Sequence, residues 1–206
     1  MRNKKLIYIF ICFLIFSLII LFFYYKNLKT VNNISKSNTD LKNYILSISS
    51  YEATISVEVN SNKNTNKYII KQWYASPNLF KQEIQAPENI QGLKTIYDGT
   101  NLKIENSRLN LSKIYQNYNY ITNNNLCLNV FLKECKNNEI TQIENENEIT
   151  IGLETNKKYS KYKELTVDKK TKLPLKMKIM DENKKTLVYI LYNEITINKT
   201  AKEDII

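Results

Sequence analysis

The chain contains no histidine. This absence excludes several classes of catalysis. Ser-His-Asp and Cys-His catalysis, histidine-ligated zinc hydrolysis and the usual imidazole proton shuttles all need that side chain. Glycine is almost as scarce, with 3 residues in 206, and neither the dinucleotide-binding GxGxxG nor the P-loop motif occurs. We therefore expect a protein that is not an enzyme and that needs no cofactor.

Cysteine is also rare, and the three thiols form no metal or disulfide pattern. Cys12 lies in an apolar run near the N-terminus, which leaves Cys127 and Cys135 for the rest of the chain. No CxxC occurs, and without histidine this argues against a metal site. If residues 123–136 form a helix, the two thiols lie about 12 Å apart along it, which is too far for a disulfide. We expect both to be free and to face the core.

Acidic side chains leave one formal route to catalysis, through Glu144, Glu146 and Glu148. Paired carboxylates can act as general acid and general base. These three, however, alternate with Asn145 and Asn147 in a polar stretch. Because charged residues are mostly exposed, we interpret the stretch as a solvated hairpin tip.

Positive charge dominates, with 30 Lys and Arg against 20 Asp and Glu, but its distribution does not indicate a nucleic-acid surface. Arg2 and Arg108 are the two arginines, although arginine is the residue that bidentate phosphate and base recognition favours. The lysines are scattered singly instead of forming a stripe. We expect a solvated lysine-rich surface and no nucleic-acid partner, with attraction to an anionic bilayer or wall polymer as the alternative.

The N-terminus predicts a membrane anchor. A short basic tail precedes an uncharged stretch from Leu6 to Tyr25, which as a helix would span about 30 Å, the thickness of a bilayer core. A cleavable signal peptide would have a shorter apolar stretch and a small-x-small site, and this sequence has neither. We predict a cytoplasmic tip and single-pass transmembrane anchor over residues 1–26, a linker over 27–38 and an extracytoplasmic domain over 39–206 at the cell membrane.

The extracytoplasmic domain is predicted to begin with a helix and to continue as strands. Apolar residues between 41 and 48 follow the i, i+3, i+4, i+7 spacing of an amphipathic helix. From Tyr51 to Val59 they alternate instead, which predicts a strand with one buried face. Residues 67–76 and 79–86 complete a three-strand meander.

The meander is predicted to continue through a hairpin at Asp98-Gly99, because Asp-Gly favours φ > 0 at both turn positions. Helical spacing then predicts a second helix over residues 123–136. Strand patterns resume in four further stretches, 149–153, 165–167, 173–179 and 187–197. So wide a one-sided sheet must curl to keep its apolar face dry. The predicted fold is α+β and mainly β: a curved antiparallel sheet, or half-barrel, with packed helices around a concave interior.

An aromatic cluster around one hairpin is the candidate functional surface. It consists of Trp73, Tyr74, Leu79 and Phe80. In a curled sheet these side chains could line the mouth of a hydrophobic cavity or form a partner-binding surface. Ordinary core and cross-strand packing is the alternative, because aromatic pairs commonly stabilise sheets.

Several stretches together suggest a family. KYIIKQWY at 67–74 is followed by PNLFKQEIQAP at 77–87, and later come YDG at 97–99 and LPLKM at 173–177. These stretches resemble the LolA-like superfamily and, within it, the GerS-like proteins of clostridial spore germination. The resemblance covers roughly residues 42–198 and includes no catalytic motif.

What this resemblance implies is an antiparallel half-barrel wrapped around helices, and a non-enzymatic role in making spores able to germinate. GerS-like members are expected to bind and support an N-acetylmuramoyl-L-alanine amidase that modifies cortex peptidoglycan. The better-known members of the superfamily imply the alternative of a lipid- or lipoprotein-binding carrier with a hydrophobic ligand. The chain departs from GerS-like proteins in its anchor, because those are expected to be lipoproteins. Its domain would still reach the same side of a membrane, in the cell or the spore envelope, and edge strands would permit self-association.

Overall fold

The structure is a computed structural model, and it divides the chain into two compact units, Met1–Asn43 and Tyr44–Ile206. The described residues are 19–23, 41–61, 63–118 and 126–205.

Little of the first unit is described. Residues 19–23 are helical and exposed, whereas the rest of the anchor predicted over 1–26 lies outside the described residues, as does the linker predicted over 27–38. Within the ranges that are described, no helix combines the length and the apolar character needed to cross a bilayer.

The second unit is built on one antiparallel sheet of eleven strands. The strands are β1 (Ser50–Asn60), β2 (Thr65–Ala75), β3 (Leu79–Ala86), β4 (Lys94–Tyr97), β5 (Leu102–Asn106), β6 (Leu111–Tyr115), β7 (Ile140–Glu144), β8 (Glu148–Glu154), β9 (Tyr162–Asp168), β10 (Pro174–Met180) and β11 (Thr186–Ile197). Their spatial order is β6-β5-β4-β3-β2-β1-β11-β10-β9-β8-β7. The first and last strands therefore pair at the middle of the sheet, and β6 and β7 form its two edges.

Strand β1 shows why the chain forms this sheet. Tyr51, Ala53, Ile55 and Val57 are buried, and the residues between them are only half-buried. This alternation places one apolar face against the interior. The predicted strand with one buried face is confirmed, as are the meander and the mainly β antiparallel fold.

A helix, Leu128–Asn137, crosses the inner face of the sheet and is called the central helix below. Just before its start, the carbonyl oxygen of Leu126 accepts a hydrogen bond from Nε2 of Gln72 on β2, at 3.4 Å. Near its end, Oε2 of Glu134 lies 2.5 Å from Nζ of Lys163 on β9. Strands β2 and β9 are four places apart, about 19 Å at the usual spacing. The helix therefore lies across the strands and covers the middle of the buried face.

The central helix begins later than the sequence predicts. Residues 123–125 lie outside the described residues, and Cys127 has the extended backbone angles φ −94° and ψ 130°. Its thiol lies near the Tyr51 and Tyr192 side chains. Cys127 and Cys135 are both free and buried, as predicted.

The Asp98-Gly99 turn also differs from the prediction of φ > 0 at two positions. Gly99 has a φ of +99°, whereas Asp98 is not among the residues with positive φ. Its carboxylate instead accepts hydrogen bonds from the backbone N–H groups of Thr100 at 2.8 Å and Asn101 at 2.6 Å. The connection is therefore a longer loop closed by an aspartate side chain.

Candidate functional site

The four predicted site residues lie on a single hairpin, β2–β3, but not on a single face. Tyr74 and Phe80 are directly opposite each other and point inward, where Phe80 is fully buried. Trp73 and Leu79 belong to the other face, with Trp73 opposite Lys81. The alternation of the strand separates the neighbours Trp73 and Tyr74. The hairpin thus offers two surfaces.

On the outer face, Trp73 lies between two lysines. The Nζ atoms of Lys71 and Lys81 are each 4.9 Å from the centre of its ring. Lys71 also pairs with Glu52 at 2.8 Å, and Lys81 donates to the carbonyl oxygen of Asp204 at 3.1 Å. Cation–π contacts of this kind contribute about 0.5–1 kcal/mol each. The ring is therefore engaged by its own neighbours.

Beside that tryptophan, the outer face carries a row of alternating charge. Lys71, Glu83, Lys94 and Glu105 follow one another across β2 to β5. Nζ of Lys94 lies 3.8 Å from Oε2 of Glu83, and Lys103 pairs with Glu105. Lysines of this region are thus interspersed with acidic partners, as expected for a solvated surface.

On the inner face, a tyrosine cluster surrounds the start of the central helix. The rings of Tyr51 and Tyr74 are 5.6 Å apart, and the Tyr51 hydroxyl donates to Oδ1 of Asn129 at 3.3 Å. Burial raises the pKa of Tyr51, of Tyr192 and of the Cys127 thiol, so all three are held neutral. No metal-ligating cluster occurs among the residues that the structure describes. The cluster packs the core and offers no ionised nucleophile.

The glutamates weighed as catalytic candidates lie at the β7–β8 turn. Glu144 pairs with Lys169, and Oε2 of Glu148 lies 3.5 Å from Nζ of Lys176. Glu146 is exposed in the turn itself. This is the polar hairpin tip that the sequence predicts.

A cleft of about 320 Å³ opens beside Tyr74, between the β2–β3 turn and the central helix. Its lining combines apolar, amide and cationic side chains and contains no acidic residue. The lining residues are Ile48, Tyr74, Ser76, Pro77, Asn78, Asn129, Leu132, Lys133 and Lys136. Tyr74, which closes one side, is held by a hydrogen bond from its hydroxyl to the carbonyl oxygen of Pro77 at 3.3 Å. Apart from Tyr74, sequence reasoning missed these residues.

The second accessible surface is the edge of the sheet at β6. Large apolar side chains are exposed there within a segment of ten residues. We call this group the β6 edge, and it consists of Leu109, Leu111, Ile114, Tyr115 and Tyr118. Ile114 is 60% exposed, although isoleucine is among the residues most often buried. The sequence does not predict this strand. Hydrophobic alternation arises where one face of a strand is buried, and β6 is exposed on both faces.

Comparison with solved structures finds proteins to which this chain is similar. An uncharacterized conserved protein from Thermus thermophilus is 12% identical with a TM-score of 0.54, covering 82% of this chain and 92% of that one. A chain in the structure of the CwlD amidase from Clostridioides difficile in complex with the GerS lipoprotein is 20% identical with a TM-score of 0.45, covering 81% of this chain and 94% of that one. The LolA superfamily protein NE2245 from Nitrosomonas europaea is 7% identical with a TM-score of 0.44, covering 82% and 96%.

No curated protein matches the chain. A family profile does match, and it covers residues 3–206, nearly the whole sequence; its description is sporulation protein YdcC-like. A match of this extent decides membership: the chain belongs to the YdcC-like family of sporulation proteins.

Proposed function

We propose that this protein is a non-enzymatic, membrane-anchored envelope protein that binds a cell-wall amidase and supports its action on the spore cortex. Its N-terminus would lie in the cytoplasm and its sheet domain outside the membrane. Membership of a sporulation family supports the setting. The sequence resemblance to GerS-like proteins supports the kind of partner, since the GerS lipoprotein itself forms a complex with the CwlD amidase.

The observation that carries the proposal is the β6 edge. Several large apolar side chains exposed within a short segment are more typical of a surface that binds a partner than single exposed ones are. An edge strand also presents unpaired backbone groups, which an extended segment of another protein can pair with. Lys113 is the one charged residue within β6 itself. The edge is therefore suited to a protein strand with apolar side chains.

The carrier alternative fits the inner face less well. Gln72 is completely buried there, and its Oε1 atom has no hydrogen-bond partner among the described residues. Acyl chains would not supply the hydrogen bond that this buried oxygen lacks. The central helix also covers the middle of the same face. In the experiment below, recovery of a bound apolar ligand would favour the carrier.

The test is capture of the full-length chain from sporulating cells. The tagged protein is solubilised in mild detergent, and bound proteins and lipids are both identified by mass spectrometry. We expect stoichiometric capture of an N-acetylmuramoyl-L-alanine amidase. Ile114→Lys should reduce that capture at least tenfold, because it places a charge in the centre of the β6 edge.

The matched control is Ile143→Lys at the opposite edge of the sheet. Ile143 is also an isoleucine of an edge strand and is 68% exposed. This variant should capture the amidase as the unmodified protein does. Lipid without amidase would favour the carrier, and equal capture by both variants would remove the β6 edge from the interface.

A further inference from the structure

The cleft beside Tyr74 has one wall made by a single stripe of the central helix. Asn129, Leu132, Lys133 and Lys136 stand at i, i+3, i+4 and i+7, the spacing that brings side chains onto one helical face. Asn129 and Leu132 are buried, while both lysines are exposed. Along this wall, the amide of Asn129 and the side chain of Leu132 lie at the bottom of the cleft. The two lysines lie at its opening and form what we call the rim.

The two lysines of the rim are not neutralised by the helix that carries them. Glu134 lies on a different face, where its carboxylate contacts Nζ of Lys163 at 2.5 Å and Nζ of Lys157 at 3.4 Å. Among the described residues, Lys133 and Lys136 form no ion pair. The C-terminus of a helix carries about half a negative charge, which two full positive charges outweigh.

The opposite wall adds no negative charge either. It comes from the β2–β3 turn, with Pro77 and Asn78. Gly99 lies next to Asn78, and the neighbouring Asp98 directs its carboxylate to the backbone of its own loop. An anion entering the cleft therefore meets positive charge on one side and neutral groups on the other.

The neutral groups match a peptide. Oδ1 of Asn129 is taken by the Tyr51 hydroxyl, whereas its Nδ2 donor has no partner among the described residues. The Asn78 side chain likewise offers a donor and an acceptor. Leu132 and Pro77 provide apolar contact for a small side chain. At about 320 Å³, the cleft is at the lower end of the range for ligand sites, about 300–1,000 Å³.

We propose that this cleft binds the carboxylate end of a short peptide with small apolar side chains. Lys133 and Lys136 attract the carboxylate, Asn129 and Asn78 bond the last peptide group, and Leu132 contacts the terminal side chain. Inorganic phosphate could bond the lysines and the asparagine amides, but it has no apolar part to contact Leu132. The cleft and the β6 edge are separate surfaces, so the two tests fail independently.

The experiment measures binding of tri-alanine to the full-length protein in detergent, by calorimetry and ligand-observed NMR. We expect the free carboxylate form to bind at least tenfold more tightly than the C-terminal amide. Lys133→Gln combined with Lys136→Gln should weaken binding of the free acid at least tenfold. The matched control, Lys63→Gln combined with Lys170→Gln, removes the same charge at two exposed positions outside the cleft and should bind as the unmodified protein does.

Three results would overturn the proposal. The first is no detectable binding of tri-alanine to the unmodified protein. The second is equal binding of acid and amide, which would remove the carboxylate from recognition. The third is displacement of tri-alanine by phosphate at an equal concentration, which would make the cleft a general anion site.

Discussion

Nζ of Lys163 on β9 lies 2.5 Å from Oε2 of Glu134 on the central helix, and the lysine side chain is 1% exposed. Lys157 approaches the same carboxylate at 3.4 Å from the more exposed side. A buried ammonium group is tolerated only where it is paired. This ion pair is therefore a polar contact between the end of the helix and the sheet.

Glu134→Gln should destabilise the domain by about 3–5 kcal/mol, because it removes the negative charge that pairs with the buried ammonium group of Lys163. Urea unfolding of the full-length protein, followed by circular dichroism, measures this. Glu139→Gln is the control: Glu139 is exposed just after the helix, and its loss should cost less than about 0.5 kcal/mol. Equal effects of the two substitutions would contradict the role of the pair.

Lys163→Met should cost little or even stabilise the domain, because replacing a buried ion by an apolar group of similar length avoids its desolvation. The same urea experiment decides this. A loss as large as that expected for Glu134→Gln would show that the ion pair stabilises the fold by more than its burial costs.

Stability should depend on pH through Lys163. Burial lowers the pKa of this lysine, and the carboxylate of Glu134 only partly reverses that effect. An unfolded lysine titrates near about 10.4. Between the two pKa values the unfolded chain binds more protons, so this group makes stability rise with pH in that window.

The measurement compares the free energy of unfolding of the unmodified protein with that of Lys163→Met, and the difference should grow in favour of the unmodified protein up to about pH 10.4. The comparison is needed because Tyr51 and Tyr192 act in the opposite sense. Burial raises their pKa, so their contribution is present below about pH 10 and is lost at higher pH. A difference that stays flat would contradict the assignment to Lys163.

The two faces of the β2–β3 hairpin should respond differently to truncation. Phe80→Ala empties a fully buried site and should cost about 3–5 kcal/mol. Trp73→Ala mainly removes two cation–π contacts, about 1–2 kcal/mol together. In the capture experiment, Trp73→Ala should retain the amidase, since two lysines already contact its ring. Loss of the amidase in a folded Trp73→Ala variant would place the partner on the outer face instead.

The thiols of Cys127 and Cys135 should resist modification in the folded protein. Both are buried, and burial raises the pKa of Cys127, so little reactive thiolate forms. With Cys12 replaced by serine, a maleimide probe should label neither residue in the native state and both in urea, as counted by mass spectrometry. Rapid native labelling would show that the start of the central helix opens.

The sequence predicts most of the sheet because burial leaves a periodic trace. Strand β1 lies at the centre, and its alternation is visible from Tyr51 to Val57. Strands β6 and β7 are edges with exposed residues on both faces, so hydrophobic alternation does not reveal them. The predicted start of the central helix is too early, since Cys127 fits the apolar spacing of the helix although its backbone is extended.

The candidate surfaces are less predictable than the fold, because they depend on which strands become neighbours. The aromatic cluster draws attention to Tyr74, but strand alternation divides it between two faces. The cleft forms because the helical face from Asn129 to Lys136 lies opposite the β2–β3 turn. No spacing within the sequence shows that these two segments face each other.

The pairing of β1 with β11 has a consequence for how the protein is made. Oδ1 of Asn198 accepts a hydrogen bond from the backbone N–H of Ser49, although the two residues are 149 positions apart in the chain. The centre of the sheet therefore cannot close until the last strand has been synthesised and has emerged. Contacts this distant slow folding, and an unpaired apolar edge exposes the chain to aggregation in the meantime. If the domain crosses a membrane in the order in which it is synthesised, β1 therefore stays without its β11 partner until the whole domain has crossed.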